Sequence, residues 1–274
     1  MTTLTQTEKA LRFRALHESG IFVMPNPWDC GSAQAMETQG FPALATSSFA
    51  SALAAGHKDG GLSRDQALAH ARSIVKACNL PVAADLESGF GATPEEVAET
   101  YRLAAEAGLA GASIEDYTGD PARPFYELPE AVDRLTAAVE ATRSLPCPFL
   151  ITARSENFLR GKPDLHDTIA RLQAYEAAGA DVLFAPGLPS LDAVKAVCSS
   201  VSKPVNFMAG LPDKSFPVAD LAAAGVRRIS LGTSLYKAAI AGVMNAVSEI
   251  KTAGTFAFTA ALPSPPALLA FFGK

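Results

Sequence analysis

The chain has 274 residues, of which 49% are hydrophobic and 19% charged, with 23 Lys and Arg against 28 Asp and Glu for a formal net charge of −5. That composition can bury a large core and excludes a disordered chain. With no cluster of basic residues and a mild acidic excess, it also argues against a nucleic-acid partner. The four cysteines, Cys30, Cys78, Cys147 and Cys198, show neither CxxC nor Cys/His spacing, so neither a disulfide framework nor a zinc site is expected, in keeping with a reduced cytoplasmic protein. The N-terminal stretch MTTLTQTEKALRFRALHESG reads as a polar amphipathic helix without an apolar signal region. No window approaches a membrane span, and export and membrane insertion are both disfavoured.

In chain order, eight short apolar runs alternate with longer helical patterns: IFVMP from Ile21, PALATSS from Pro42, PVAADLE from Pro81, ASIED from Ala112, PFLITAR from Pro148, DVLFAP from Asp181, PVNFMAG from Pro204 and RISLG from Arg228. None alternates with period 2, as expected for parallel strands covered on both faces, and the gaps leave room for one crossover helix each. A helix is predicted after Ser63, a natural N-cap, with Ala67, Leu68, Ala71, Ile74 and Val75 on one face. Another begins at Thr93 with Thr-Pro-Glu-Glu and ends at Gly108. Further helices are predicted over 128–144, 164–178, 190–200, 217–224 and 233–250, with Gly179 and Gly225 at C-cap positions.

Eight strand–helix units in about 250 residues have the rhythm of an α/β protein of the (β/α)8, TIM-type barrel class. A doubly wound sheet is the alternative, but no GxGxxG follows the first strand. Residues 1–250 are read as one barrel domain. Residues 251–274 form an apolar tail, rich in Phe, Leu and Pro, that should pack on the barrel or on a neighbouring subunit.

Barrels carry their active sites at the C-terminal ends of the strands. Those ends hold Thr46, Ser47 and Ser48; Asp85, Glu87, Ser88 and Gly89; Glu115 and Asp116; Arg154, Ser155 and Glu156; and Asn206. Carboxylates converging from adjacent strands need a cation or a proton between them. An all-oxygen donor set of Asp85, Glu87 and Glu115 suits Mg²⁺, or Mn²⁺, better than zinc; helix caps and surface ion pairs are the competing roles. Arg154, inside an apolar strand, calls for an anion, either a ligand's carboxylate or phosphate or an internal partner such as Glu156 or Glu115. Ser47, Ser48 and Phe49 could offer a hydroxyl and successive N–H groups to an anion, or make a simple turn. The absence of GxSxG and of a His/Asp partner argues against a nucleophilic serine. His17, His70 and His166 fall in helical patterns and read as surface residues; His57, in the loop after the second strand, could approach the site. Trp28 reads as a packing residue.

At these residues the sequence resembles the isocitrate lyase/phosphoenolpyruvate mutase superfamily, in particular its phosphonomutase-like branch. The matching pieces are PNPWDCGSA, TSSFASALAAGHKDGG, DLESGFG, IED, TARSENF and PVNFMAG. The resemblance implies a Mg²⁺-dependent carbon–carbon lyase acting on a 2-oxo acid, or on a 2-hydroxy di- or tricarboxylate, through an enolate. It implies Asp85 as direct metal ligand, Glu87 and Glu115 on metal-bound waters, Ser47, Ser48, Phe49 and Asn206 on the substrate, Arg154 as supporting cation and Asp59 near the reacting group. It further implies a homotetramer whose final helix is exchanged between subunits. Two departures stand out. The loop after the fourth strand, DYTGDPARPFYELPEA, has neither the cysteine and histidine of isocitrate lyases nor the lysine and asparagine of phosphonopyruvate-processing relatives. Glu87 stands where the usual residue is an aspartate. A standard isocitrate lyase is therefore not expected, and Tyr117, His57 and Glu156 are the remaining candidates for general base. A P–C bond mutase or hydrolase and a non-catalytic 2-oxo acid binder are the alternatives.

Overall fold

A computed structural model describes residues 3–273; Met1 and Thr2 of the predicted first helix and Lys274 of the tail lie outside the described residues. Eight parallel strands, β1 (Phe22–Met24), β2 (Leu44–Ala45), β3 (Val82–Asp85), β4 (Gly111–Glu115), β5 (Leu150–Arg154), β6 (Val182–Phe184), β7 (Val205–Met208) and β8 (Arg228–Ser230), form one sheet in the order β1-β8-β7-β6-β5-β4-β3-β2. From β2 to β8 each strand therefore pairs with its successor in sequence, and β8 returns to β1, which leaves β1 and β2 as the two ends of the order. The Ala45 N–H donates to the Pro25 carbonyl at 3.1 Å and draws the two ends of the sheet together. This is a nearly closed (β/α)8 barrel, and the doubly wound alternative falls because no strand order reverses.

The helices are α1 (Gln6–Ala15), α2 (Cys30–Thr38), α3 (Ser48–Ala54), α4 (Arg64–Ala77), α5 (Pro94–Glu106), α6 (Leu128–Arg143), α7 (Leu165–Ala177), α8 (Leu191–Ser200), α9 (Val218–Ala223), α10 (Ser234–Ala253) and α11 (Pro265–Phe271). Their starts follow local chemistry. Ser63 caps α4 and Thr93 caps α5, each in a reciprocal capping box with a residue three positions on, and Pro94 opens α5. Gly108, Gly179 and Gly225 take φ of 91°, 100° and 98° just beyond helix ends, where a Cβ would be strained.

The main apolar core lies between sheet and helices. A second cluster fills the lower barrel, where Phe13 of α1 meets Phe22, Met24, Ala83 and Leu150. α1 is stitched across the N-terminal ends of the strands: Gln6 Nε2 donates to the Ala105 carbonyl and the buried Lys9 Nζ to the Cys78 carbonyl. It closes the barrel floor, and His17, just past its end, is buried with it, against the sequence expectation of a surface residue. The imidazole packs edge-on between Phe13 and Phe22, and Nδ1 is 2.8 Å from the Phe13 carbonyl. Helical periodicity could not distinguish a solvent face from one that plugs a barrel. His70 is half-buried, bridging the Ser51 hydroxyl and the Trp28 carbonyl, whereas His166 is exposed.

Past β8 the chain packs on the barrel through Leu235 and Tyr236 and then leaves it along α10. α10 has no buried residue, and Val243, Met244, Val247 and Ile250 along it are exposed. A short 3-10 helix (Ala257–Ala261) and α11 follow, with Phe256, Leu262, Leu268, Leu269 and Phe271 also open to solvent. The tip touches the barrel, Phe272 and Gly273 lying against Gly31 and Thr38 of α2. The tail thus touches its own barrel at its tip and leaves most of its apolar side chains exposed in the single chain. Among the described residues no helix is long and apolar enough to cross a membrane.

Candidate active site

The C-terminal strand ends open into a cavity of about 310 Å³ that runs from Phe49, Asp59 and Lys237 at its mouth down to Thr152 and Arg228. Arg154 stands at its centre. One Nη lies 2.9 Å from Asp85 Oδ1, the other 3.1 Å from Glu115 Oε2 and 2.8 Å from Glu156 Oε1, and the guanidinium packs 5.1 Å from the centre of the Phe184 ring. The register places it: Arg154 sits directly across from Glu115 on β4 and Phe184 on β6. Both internal partners anticipated for Arg154 are present, joined by Asp85. Burial works against the charge of Arg154, but its three carboxylate neighbours outweigh that and hold it protonated.

The predicted anion cradle is a helix start. Ser47 caps α3, and the Ser48 N–H and hydroxyl both donate to Asp85 Oδ2, at 3.2 and 3.0 Å. The cradle therefore holds the protein's own carboxylate from this side, with Ser47 and Phe49 facing the cavity beside it. Burial pushes the Asp85 carboxyl up, yet Arg154 and the Ser48 donors leave it below the usual carboxylate range. Asn206 is spent on the frame as well, its Oδ1 accepting from Arg228 and its Nδ2 donating to Ser230.

Asp85 and Glu115 meet on Arg154, while Glu87 stands apart, near Gly60 and Asp59. Among the described residues no three acids close on a single point as a ready-made cation cage. Glu87 is lifted to about 7 by burial and then by Asp85 and Asp59; Glu115 is raised well above the ordinary range, by burial first, against the pull of Arg154. Carboxyls that resist ionisation around an ionised one are what a hard divalent cation relieves. Mg²⁺ takes one or two carboxylates directly and keeps waters elsewhere, so this oxygen-only set fits it without a closed cage.

The Glu87–Gly91 turn departs from ordinary backbone at Glu87 and Phe90, with φ of 51° and 54°, and at Gly89, with φ of 94°. Arg134 of α6 locks it. Its guanidinium donates to the carbonyls of Ser88 (2.7 Å) and Gly91 (2.8 Å) and lies 4.3 Å from the centre of the Tyr126 ring, in the loop after β4. That loop folds back on itself through a Tyr117–Phe125 bridge, with Arg160 over Tyr117. Asp116 lies beneath it, accepting from the Glu156 N–H, the Tyr175 hydroxyl and Arg171.

Of the base candidates, Glu156 is fully buried and engaged by Arg154 and Arg160, and His57 is exposed and does not line the cavity. Tyr117 does not line it either. Asp59 does: the residue is mostly exposed, but its carboxyl is partly desolvated and so raised, with Arg160 opposing and Asp85 adding to the rise. Trp28 packs edge-on to Tyr236, 5.6 Å between ring centres, in keeping with its packing role. Among the lining residues that the sequence left unmarked are the cations Arg160, Lys237 and Arg228 and the hydroxyls of Thr152 and Ser230. Arg228 could have been flagged by the rule that singled out Arg154, a cation within an apolar strand. Arg160 and Lys237, in a loop and on a helix, carry no such signal.

A barrel with its acids and arginine at the strand ends defines an enzyme of the isocitrate lyase/phosphoenolpyruvate mutase type. The family model described as phosphoenolpyruvate phosphomutase matches residues 13–251, and the chain belongs to that family. A Burkholderia cenocepacia J2315 crystal structure, of a candidate lyase/mutase, is 48% identical with a TM-score of 0.95, covering 98% of this chain and 97% of its own. The crystal structure of 2,3-dimethylmalate lyase is 25% identical with a TM-score of 0.85, covering 98% and 95%. A 2-methylisocitrate lyase of Halalkalibacterium halodurans is 31% identical over 205 residues, 73% of this chain and 67% of the relative.

Proposed function

We propose that this enzyme is a Mg²⁺-dependent carbon–carbon lyase that cleaves a 2-hydroxy di- or tricarboxylate, or decarboxylates a 2-oxo dicarboxylate, through the enolate of a 2-oxo acid. The observation that carries this reading is the charge arrangement around Arg154. A protonated guanidinium and an ionised Asp85 are fixed at the strand ends, flanked by Glu87 and Glu115, which stay protonated more readily than ordinary carboxyls. Asp85, with Glu87 and Glu115 on its waters, would hold the cation, which supplies positive charge for the oxygen of the developing enolate. The related 2-methylisocitrate lyase and 2,3-dimethylmalate lyase give the class of substrate its support.

The chain's own residues have separable tasks. Arg154 orients the substrate carboxylate and lowers the cost of gathering anions at one point. Ser47, Ser48 and Phe49 line the wall against which that carboxylate rests. Asp59, at the mouth with a raised carboxyl, takes and returns the proton; a base must reach the substrate, and neither His57 nor Glu156 opens on the cavity. The loop after β4 offers no cysteine or histidine, so cleavage of isocitrate by the usual acid is not proposed. Exchange of substrate C3 protons in D₂O tests the reading: Mg²⁺-dependent loss of the pyruvate or 2-oxoglutarate methyl or methylene signal is expected, and should disappear in Asp59→Asn. The exposed apolar face of α10 and the tail beyond it support a homotetramer in which this C-terminal arm is exchanged between neighbours. A cytoplasmic setting accords with the four free cysteines.

A further inference from the structure

Four arginines are buried, and three have an evident reason to be. Arg154 and Arg171 face carboxylates, and Arg134 binds backbone carbonyls and stacks on Tyr126. Arg228, 3% exposed at the start of β8, has no carboxylate within ion-pairing distance among the described residues. Its Nε donates to Asn206 Oδ1 at 2.8 Å, one Nη to Thr152 Oγ1 at 3.0 Å, and the other Nη approaches His17 Nε2 at 3.4 Å. All three partners are neutral. His17 is held uncharged, down to about 3, by burial and by Arg228 itself, and with Nδ1 on the Phe13 carbonyl it turns an acceptor toward the arginine. Burial alone drags Arg228 down to about 9, with no acid lifting it as acids lift Arg154 and Arg171. A buried cation without a counter-charge is strongly disfavoured, and three of its five N–H groups are used.

The surroundings leave further donors free. The Thr152 hydroxyl accepts from Arg228 and the Ser230 hydroxyl accepts from Asn206, and neither hydroxyl proton has a protein acceptor among the described residues. Arg228, Thr152 and Ser230 all line the cavity. Thr152 stands two residues before Arg154 on β5, hence on the same inward face and about 6.6 Å deeper. The floor is therefore donor-rich and acid-free, one side-chain layer beneath the Arg154 site.

We propose that Arg228, Thr152 and Ser230 form a carboxylate subsite on the cavity floor that receives the second carboxylate of a four-carbon dicarboxylate whose first carboxylate and 2-oxygen lie at the Arg154 layer. The subsite rests on the 2-oxo acid reading above and adds to it a substrate length and an orientation, with the distal carboxylate pointing into the barrel. His17 and Asn206 are positioning residues, holding the guanidinium from behind.

Lactate and malate differ by that second carboxylate alone, and calorimetric titration of the Mg²⁺-loaded protein with each gives the discriminating ratio. Malate is expected to bind about 10- to 100-fold more tightly than lactate, the range of a charge-assisted hydrogen bond. In Arg228→Met the ratio should fall toward one. Thr152→Val, which keeps the shape of the side chain, should lower it about 3- to 10-fold and serves if Arg228→Met shows no cooperative unfolding transition. A ratio near one in the wild-type protein, or a ratio unchanged in either variant while lactate still binds, overturns the subsite. If lactate, malate and pyruvate all fail to bind, the 2-oxo acid reading itself is wrong and the subsite falls with it.

Discussion

Arg154 faces Asp85, Glu115 and Glu156 from a nearly sealed position, so its removal leaves three acids to share a poorly solvated space. Arg154→Met should destabilise the metal-free protein by about 3–5 kcal/mol, measured by urea unfolding, because uncompensated buried charge costs more than the lost pair contributes. Adding Glu115→Gln should recover part of that loss. His17 makes a separate prediction. Its folded pKa of about 3 lies below the ordinary 6.5, so in that window the unfolded chain binds a proton that the native state does not. Stability should be fully present above pH 6.5 and decline as pH falls toward 3. His17→Gln should flatten this limb in urea midpoints measured from pH 7 to 4; an unaltered slope would place the titration elsewhere. At this scale the sequence revealed Arg154 and its acids, because polar residues closing apolar runs are conspicuous. It offered Glu115 and Glu156 as partners for Arg154 but concealed other pairings: Ser48 turns its N–H to Asp85, and Asn206 is committed to Arg228.

Between residue and molecule, the turn after β3 governs where Glu87 points. Its carbonyls at Ser88 and Gly91 are held by Arg134, and a Cβ on Gly91 would stand 2.6 Å from the Glu96 Cβ and 2.7 Å from the Val97 N. Gly91→Ala should therefore cost about 2 kcal/mol or more and weaken Mg²⁺ binding, read by calorimetry with the metal alone. Arg134→Met should weaken metal binding in the same direction, since the turn loses its anchor and Tyr126 its stacking partner. The glycine-rich spelling of this turn was visible in the sequence. Its anchor was not, because Arg134 lies in mid-helix, where an arginine ordinarily meets solvent. The same limit applied to α3: a stretch that could be a simple turn became a helix because Ser47 caps it, its hydroxyl accepting from the Ala50 N–H. Ser47→Ala should cost about 1 kcal/mol.

For the molecule as a whole, the eight strand–helix units were legible because parallel strands buried on both faces spell uninterrupted apolar runs between capped helices. The C-terminal arm was legible in composition but not in placement. Apolarity says that a surface needs cover; it does not say whose. α10 presents Val243, Met244 and Val247 outward, exposed among the described residues. Val243→Glu with Met244→Glu should convert a tetramer into smaller species by light scattering, and a wild-type protein that is monomeric at micromolar concentration would remove the proposed exchange. The central claim, metal-assisted enolate formation at the Arg154 site, is tested most directly by NMR of pyruvate C3 protons in D₂O. The account predicts exchange with Mg²⁺, none after chelation and none in Asp85→Asn. Absence of exchange across pyruvate, 2-oxobutyrate and 2-oxoglutarate, or exchange at an undiminished rate without the metal, would contradict it.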